Sequence, residues 1–553
     1  MGPEQHLNGP GRCVGAGVPS SLEVATLLFL GASVSQLPAI RHAQAAGHRV
    51  GAVDGDADAV GFEVADVCVN VDFSHVEQVA FAGETHGADG VLAISSDRAV
   101  VPASVVAELL GLPGIGVDVA RAMTDKPIMR ANLAEAGVPQ PRHAVVTANT
   151  DLDSVVDETP FPAVLKPADS GGQRGLFLIH SPTDIERHLQ GTLAFSPTGR
   201  AMLEEFVDGT ELNGIVIVRD GEPTLVTLSD RLRPTGAGFG VGWIHSFPSA
   251  LDPPVLERAR EIAFDAVRVL GLRDGIAFPQ LIAAGDDVRL IEIAARIAAG
   301  QMADLVRAGA GIELFDVAIA QALGRPVPDT LVVPGTVCPV AIRFLTAAPG
   351  ILPLGTVTSI HGLDAVRGSP GVVAAGLYFD VGTTITPVQV DADRRGYVVA
   401  MGDTPAEALE LADAAARRLV VRTRREPLAA KGARFVIPAA AAVLAAAAVG
   451  IAAVLVPHAP RPRLLSDTIR TRGDRLQVLY AFNEPVRAEL LVNGRPATRL
   501  SSLGRRGELL WRDRGSVSGP VAIEGIDRSG RRAVFSVVRR VPGAARVRHR
   551  GAA

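Results

Sequence analysis

The stretch that decides the fold is Pro160–Gly175, PFPAVLKPADSGGQRG. An apolar run carries one lysine, Lys166, directly into a glycine-rich loop, and a second apolar run, LFLI, follows. A strand, a glycine loop and a returning strand would aim several backbone N–H groups and one ammonium at a common point. Glycine lets a ligand approach the backbone closely, and such N–H groups bind anions. The stretch suits a polyphosphate, although an ordinary hairpin with a surface lysine has the same pattern.

Lysine is rare in this chain. Lys126, Lys166 and Lys431 are the only lysines, although Lys and Arg together number 54. Lysine is a compact, mobile point charge that binds phosphate where bidentate geometry is not needed. Two of the three lie in the same half of the chain, which strengthens the phosphate interpretation, with chance as the alternative.

Length and composition bound the architecture. A chain of 553 residues is too long for one core, and we expect about three or four domains. Hydrophobic content of 48% fits α/β domains plus a membrane segment. The net charge of −5 gives no reason to expect nucleic acid as a partner. The scattered cysteines, Cys13, Cys68 and Cys338, predict neither a disulfide framework nor a zinc site.

The N-terminal part alternates strands and helices. Residues 1–21 lack the basic start and long apolar core of a signal peptide, so we expect a flexible tail. From Leu22, the order strand, helix, strand predicts a parallel, Rossmann-like domain over residues 22–118. Its first turn reads GASVSQ and not GxGxxG, so no dinucleotide site is predicted.

A helix is predicted after this domain. Thr124 or Asp125 can cap it, it runs through Leu133, and Gly137 ends it. Lys126 lies in its first turn, where a cation is unfavourable to the helix dipole. That placement indicates a role for Lys126 outside the helix.

Two strands further along carry a second set of polar residues. Gln280 and Glu292 flank the Gly285-Asp286 turn and share one face, with Arg296 just beyond. Carboxylate and carbonyl oxygens near phosphates are what Mg²⁺ requires. A surface ion pair between Glu292 and Arg296 is the alternative.

A glycine-rich loop at residues 229–248 is flanked by Arg231, Arg233 and His245. No strand–loop–helix frame surrounds it, so we expect a substrate-facing or lid loop and not a nucleotide loop. His245 alone would more often be structural. Upstream, Met202–Gly221 has the pattern of a strand, a tight Asp208-Gly209 turn and another strand.

The segment Val436–Val456, VIPAAAAVLAAAAVGIAAVLV, carries no charge and is long enough to cross a hydrocarbon core of about 30 Å. We predict a transmembrane helix, with a buried Ala-rich helix as the alternative. Basic residues before it are Arg417, Arg418, Arg422, Arg424, Arg425, Lys431 and Arg434. This bias favours a single-pass protein of the cell membrane with its N-terminal part in the cytoplasm, although arginines also follow the segment.

The remainder of the chain is Arg-rich and has neither Lys nor Cys. After a basic linker at 424–435 and the membrane segment, short alternating runs such as LQVLYAF and AVFSVVRR predict an Ig-like β-sandwich at 465–541, followed by a basic tail at 542–553. Its positive charge would suit binding to an anionic polymer or to lipid headgroups outside the cell. The alternative is an Arg-rich face that is merely solvated.

Four segments, in this order, resemble the ATP-grasp superfamily of the carboxylate–amine ligase and biotin-carboxylase-like type: TDKPIMRANLAEAGVPQP, VLKPADSGGQRGLFLI, MLEEFVDGTEL and LIEIAARIAAGQM. The resemblance covers about Val24–Thr423, and GYVVAMGDTPAEALELA is similar to the C-terminal domain of such ligases. It implies an α/β (α+β) fold with the Rossmann-like domain, an ATP-grasp domain at 119–330 and a small α/β domain at 335–423. A homodimer is an expectation from the same resemblance.

The resemblance also implies roles for single residues. The group expected on ATP comprises Lys126, Lys166, Ser170, Gly171, Gly172 and Gly175 at the phosphates, Glu204, Phe206 and Val207 at the adenine, and Glu211 at the ribose. The pair expected on Mg²⁺ or Mn²⁺ is Gln280 and Glu292. The catalytic residues would be Arg296, facing the transferred phosphoryl group, and Lys166. The substrate-facing residues would be Arg231, Arg233 and His245.

In such ligases a carboxylate attacks the γ-phosphate of ATP, and an amine then opens the acyl phosphate. This chain departs from the usual pattern, because Gln280 replaces an acidic ligand and Ala294 replaces an asparagine. Two hypotheses follow. The chain is a membrane-anchored ATP-dependent ligase for amino acid or peptide-like carboxylates and amines, or it is an ATP-binding, catalytically weak membrane scaffold or sensor.

Overall fold

The structure, a computed structural model, describes residues 24–424 apart from Asp157 and residues 235–238, together with six strands between 464 and 537. Contacts divide the chain into one unit at Met1–Ala429 and a second at Ala430–Ala553. The predicted tails and the membrane segment 436–456 lie outside the described residues. Among the helices that are described, none has the length and apolar character needed to span a membrane.

The first domain begins with a buried apolar strand. Its elements are β1 (Thr26–Leu30), α1 (Leu37–Ala45), β2 (Arg49–Asp54), β3 (Val67–Asn70), α2 (Val76–His86), β4 (Gly90–Leu92) and α3 (Asp97–Leu110). The strands form a parallel sheet in the order β3-β2-β1-β4, which confirms the Rossmann-like prediction. Leu27 and Phe29 are almost fully buried because helices cover both faces of such a sheet.

The glycine-rich stretch lies in a four-stranded antiparallel sheet. The elements are α4 (Val117–Ala122), α5 (Lys126–Glu135), β5 (His143–Val146), α6 (Leu152–Val156), β6 (Ala163–Pro167), β7 (Phe177–Ile179), α7 (Pro182–Leu193) and β8 (Ala201–Glu205). The order is β5-β8-β6-β7, and Ala163 on β6 pairs with Ile179 on β7. The predicted strand, loop and returning strand are therefore confirmed.

A larger sheet carries the second half of the candidate site. Its strands and helices are β9 (Thr210–Arg219), β10 (Glu222–Leu232), β11 (Ile244–Phe247), α8 (Pro253–Val269), β12 (Gly275–Ala284), β13 (Asp287–Ala294), α9 (Met302–Ala310) and α10 (Leu314–Ala322). The strands that flank the Asp208-Gly209 turn do not pair, because β8 belongs to the smaller sheet and β9 to this one. A side chain at Gly209 would collide with the carbonyl of Ala283, so the crossing between sheets requires glycine.

The predicted C-terminal α/β segment extends this sheet. It contains β14 (Val340–Leu345), β15 (Gly355–His361), α11 (Leu363–Arg367), β16 (Val372–Leu377), β17 (Thr384–Ile385), β18 (Gly396–Met401), α12 (Pro405–Ala416) and β19 (Val420–Arg424). Pairing of β11 with β14 gives the order β13-β12-β9-β10-β11-β14-β18-β16. The segment also has its own small sheet, β17-β15-β19. Its residues can therefore reach the site from the far edge of the large sheet.

The second unit is all-β in its described residues. Its strands are β20 (Leu464–Arg472), β21 (Arg475–Val492), β22 (Arg495–Pro496), β23 (Gly504–Arg512), β24 (Val521–Asp527) and β25 (Arg532–Val537). All pairings are antiparallel, and the strands belong to one sheet in which β21 pairs with four others. The strands were predicted, whereas their packing as an Ig-like sandwich stays a prediction.

Candidate active site

Lys126 joins the glycine-rich loop to the predicted metal strand. It is the first residue of α5, which Asp125 caps by accepting a hydrogen bond from the Ile128 N–H at 3.2 Å. The Lys126 Nζ lies 3.0 Å from Glu292 Oε1 and donates to the Ser170 carbonyl at 3.1 Å. Burial opposes the charged ammonium, but the carboxylates of Glu292, Asp97 and Glu204 together outweigh it and raise the pKa of Lys126. This explains a cation in the first turn of a helix.

Lys166 lies on β6 beside the same loop. Its Nζ contacts Glu204 Oε2 on β8 at 2.8 Å, since β6 and β8 are antiparallel neighbours. Only 8% of the Lys166 side chain is exposed. Burial lowers the pKa of Lys166, and the nearby cations Arg130 and Lys126 add to that effect. A buried ammonium of this kind favours a second anionic partner.

Arg130, which sequence reasoning missed, is the centre of this buried network. It forms a bidentate pair with Glu204 at 3.0 and 3.1 Å, and it donates to the carbonyls of Leu290 and Ile291 at 2.8 and 2.7 Å. A further bond reaches Gln140 at 3.2 Å. Because Arg130 follows Lys126 by one helical turn, both point from one face of α5. Arg130 thereby ties α5 to β8 and β13.

Glu204 is held by this network, and its place at the adenine stays a prediction. Its side chain is 3% exposed. Burial would raise its pKa, but Arg130 and Lys166 lower the pKa of Glu204 to about 2. The carboxylate therefore orients Lys166. Of the other residues predicted at the adenine, Val207 is buried, and the Phe206 ring lies 6.1 Å from that of Phe239.

The glycine-rich loop needs glycine at specific positions. Gly172 and Gly175 have positive φ angles of 73° and 66°. A Cβ on Gly175 would lie 2.8 Å from the Phe195 ring, and one on Gly171 would lie 2.9 Å from an oxygen of Asp97. The loop therefore approaches both its own sheet and the first domain closely.

The two predicted metal residues face each other across β12 and β13. Gln280 pairs with Glu292, and Asn213 on β9 is the next residue in the same row. Directly paired residues lie on one face of an antiparallel sheet, so the row presents a carboxylate and two amides. Ala294 pairs with Phe278 and offers no ligand atom.

This donor set fits a magnesium ion that bridges phosphates. Among the described residues, no group of three or more His, Cys, Asp and Glu side chains could hold a metal by itself. The Glu292 side chain is 26% exposed, so its carboxylate is accessible. Mg²⁺ usually takes one or two carboxylates and completes its shell with phosphates and water. Glu292, with the Gln280 amide beside it, meets that requirement.

Arg296 is anchored by Asp97, a residue of the first domain that the sequence did not single out. Two hydrogen bonds of 2.8 and 3.0 Å join the guanidinium to the carboxylate. The Arg296 side chain is 9% exposed, and its Nη1 is buried without a hydrogen-bond partner. Burial raises the pKa of Asp97, but Arg296 and Lys126 outweigh it and lower the pKa.

The predicted substrate residues lie in a different row of the same sheet, in which Arg231 pairs with Glu211 on one side and with His245 on the other. Arg231 and Arg233 both contact the Glu211 carboxylate, the latter at 2.7 Å. Arg231 also donates to the carbonyl of Gly240. Two guanidinium groups therefore hold Glu211, and its role at the ribose stays a prediction.

His245 is buried beside this cluster. It pairs with Arg231 across β10 and β11, and its Nδ1 lies 3.2 Å from the Asn213 amide nitrogen. Burial, with Arg231 and Arg394 nearby, lowers the pKa of His245 well below its usual value. A neutral imidazole can accept the amide hydrogen of Asn213, so His245 orients that side chain.

A cavity of about 760 Å³ lies away from the lysines, at the opposite ends of β9, β10 and β12. Small side chains of α3 and α10, including Ala103, Ala107, Ala318 and Ala322, leave this space. Its lining includes Arg296 but neither Lys126 nor Lys166.

Comparison with known proteins agrees with this geometry. Residues 125–330 match the family model described as carbamoyl-phosphate synthase L chain, ATP binding domain. Residues 343–424 match the model described as L-amino acid ligase C-terminal domain 2. The first match includes Lys126, Lys166 and the predicted metal ligand Glu292, and the second includes the strands at the far edge of the large sheet.

Individual relatives match between 42% and 73% of the chain. A D-alanine–D-alanine ligase of Desulforudis audaxviator is 30% identical over 249 residues, 42% of this chain and 77% of that protein. The fold is similar to that of an L-amino acid ligase from Bacillus licheniformis, with a TM-score of 0.63, 17% identity and coverage of 73% of this chain and 100% of that one. It is also similar to a biotin carboxylase domain dimer of Hydrogenobacter thermophilus in complex with MgADP, with a TM-score of 0.59, 16% identity and coverage of 72% and 90%.

The two sheets and the glycine loop between buried lysines define an ATP-grasp enzyme. The chain belongs to the ATP-grasp carboxylate–amine ligase family, whose members form carbon–nitrogen bonds.

Proposed function

We propose that this chain joins a carboxylate to the amine of an amino acid or peptide-like substrate, at the expense of ATP. The observation that carries the proposal is the position of Lys126, which contacts both the glycine loop at Ser170 and the predicted metal ligand Glu292. A polyphosphate between these two elements would meet two ammonium groups, loop N–H groups and a metal-binding carboxylate together.

The proposed reaction has two steps. The substrate carboxylate attacks the γ-phosphorus of ATP, and ADP leaves with the electrons of the broken bond. The neutral amine then attacks the acyl carbon, phosphate leaves, and the amine loses a proton. Lys126 and Lys166 would hold the phosphate oxygens, and Arg296 would stabilise the negative charge that develops on the transferred group. Mg²⁺ or Mn²⁺ held by Glu292 and Gln280 would supply further charge neutralisation.

The alternative of a catalytically weak scaffold is favoured only by Gln280 and Ala294. A direct test incubates the full chain with ATP, Mg²⁺ and pooled amino acids. We expect amino-acid-dependent release of ADP and phosphate. Tight ATP binding without that release would support the scaffold.

Membrane attachment through 436–456 is proposed from sequence alone, with the ligase part in the cytoplasm and the C-terminal β-domain outside. A homodimer is proposed from the family resemblance. Protease added to intact cells should remove the C-terminal domain, and protection of that domain would contradict the orientation.

A further inference from the structure

Three parts of the site lie around the ring of Phe344 on β14. The Arg394 guanidinium lies 4.3 Å from the ring centroid, and the His245 ring lies 5.9 Å away. A Cβ on Gly300 would be 3.2 Å from Phe344 and 3.6 Å from Arg394 Nη1. Because Gly300 follows Arg296 by four residues, Arg394 reaches from the C-terminal segment to the chain that follows Arg296.

The loop that carries Arg394 also contacts the glycine loop. The Asp391 N–H donates to the Gly172 carbonyl at 3.4 Å, and Arg394 Nε donates to the Asp391 carbonyl at 3.1 Å. Arg394 therefore lies between the predicted phosphate site on one side and His245 on the other.

Arg394 makes a long carboxylate contact. Its side chain is 14% exposed, and the nearest carboxylate in an ion pair with it, that of Asp391, is 3.5 Å away. Burial lowers the pKa of Arg394, and the charge of Arg231 lowers it further against the opposing effect of Asp391. The Glu211 carboxylate already pairs with Arg231 and Arg233, and the neutral His245 carries no charge that could balance the Arg394 guanidinium. A buried guanidinium in this setting favours an incoming anion.

The two carboxylates of a ligation between amino acids have different fates. The donor carboxylate must reach the γ-phosphate and is consumed as the acyl phosphate. The acceptor carboxylate remains ionised through the reaction and in the product. A permanent cation beyond the phosphate site is suited to bind the acceptor carboxylate.

We propose that Arg394 binds the free carboxylate of the acceptor, so that the acceptor is an amino acid or peptide and not a simple amine. This inference rests on the proposed ligase function. Arg394 forms and breaks no covalent bond, so it is a binding residue that sets specificity.

The first arm of the test needs no variant. L-Alanine, L-phenylalanine and L-arginine are compared with their C-terminal amides as acceptors for the full chain. We expect each amide to have a KM about tenfold to a hundredfold higher than its acid, because it lacks the charge-assisted contact. Equal KM values for acid and amide would overturn the proposal.

The second arm compares Arg394→Gln and Arg394→Lys with Arg395→Gln. The control residue is the next arginine, and it contacts Asp393 and Thr386 instead. We expect Arg394→Gln to lose the preference for acid over amide, Arg394→Lys to regain part of it, and the control to keep it. Retention of the full preference in Arg394→Gln would contradict the proposal.

A third measurement separates the acceptor from the donor. Hydroxylamine can replace the acceptor and carries no carboxylate. In Arg394→Gln, dipeptide formation should fall at least tenfold relative to hydroxamate formation, and an equal fall in both would show that Arg394 serves the donor. If the wild type makes neither product, the ligase proposal fails. Calorimetry then decides this inference: the amino acids and their amides are titrated into the protein bound to an ATP analogue. Tighter binding of the acids than of the amides would support the proposal. Equal binding, or no binding, would overturn it.

Discussion

Asp97 of the first domain holds Arg296 of the ATP-grasp domain through two hydrogen bonds of 2.8 and 3.0 Å. The pair fixes the guanidinium beside the glycine loop, because the same carboxylate lies against Gly171. A catalytic arginine held in this way loses little conformational freedom when the transition state forms.

Replacement of Asp97 by asparagine should weaken this positioning without removing Arg296. We expect kcat to fall about tenfold to a hundredfold, while the Kd for ATP changes less than threefold. Steady-state kinetics and ATP titration measure the two quantities. A large loss of ATP affinity with normal kcat would show that Asp97 supports nucleotide binding instead.

Lys166→Ala should weaken ATP binding about tenfold to a hundredfold, because a charge-assisted contact with phosphate is lost. Arg130 would still neutralise the buried Glu204, so the protein should fold. Arg187→Ala is the matched control, since Arg187 is exposed on α7 and pairs with Asp184 of the same helix. Unchanged ATP affinity in Lys166→Ala would remove the glycine loop from the nucleotide site.

Ala294→Asn should reduce the Mg²⁺ concentration needed for half-maximal activity by severalfold. Ala294 lies two residues after Glu292 on β13, so its side chain is on the same face. An asparagine there would add an oxygen ligand. Glu292→Gln should have the opposite effect, and titration with Mg²⁺ measures both. Identical magnesium dependence in all three proteins would argue against this strand as the metal site.

Glu204 should make stability depend on pH. Its folded pKa of about 2 lies below the ordinary value of 4.5, so the unfolded chain binds more protons between these values. The contribution is complete above about pH 5.5 and is lost as the pH falls through the folded pKa. Between pH 6 and pH 3, the wild type should lose about 2 kcal/mol of unfolding free energy that Glu204→Gln does not lose. Parallel pH profiles would contradict the buried network.

Much of the fold was predictable from local pattern. The parallel first domain follows from its strand–helix spacing, and the Gln280–Glu292 pairing follows from the turn between two apolar strands. The lysines stood out because the rest of the chain uses arginine. These features depend on residues close together in sequence.

The missed residues depend on contacts distant in sequence. Asp97 is 199 residues from Arg296, and only the packing of two domains brings them together. Arg130 lies in the segment TDKPIMRANLAEAGVPQP, but its role depends on the contacts that it makes from α5 with β8 and β13. Arg394 reaches the site because β14 extends the large sheet, which no spacing in the sequence indicates.

We propose that this site makes an acyl phosphate from ATP and an amino acid. The most direct test traps that intermediate with hydroxylamine in the full chain supplied with ATP and Mg²⁺. We predict an amino acid hydroxamate formed one-for-one with ADP by the wild type and reduced at least a hundredfold in Arg296→Gln. Tight binding of ATP with no hydroxamate and no ADP, from any amino acid tested, would contradict the account.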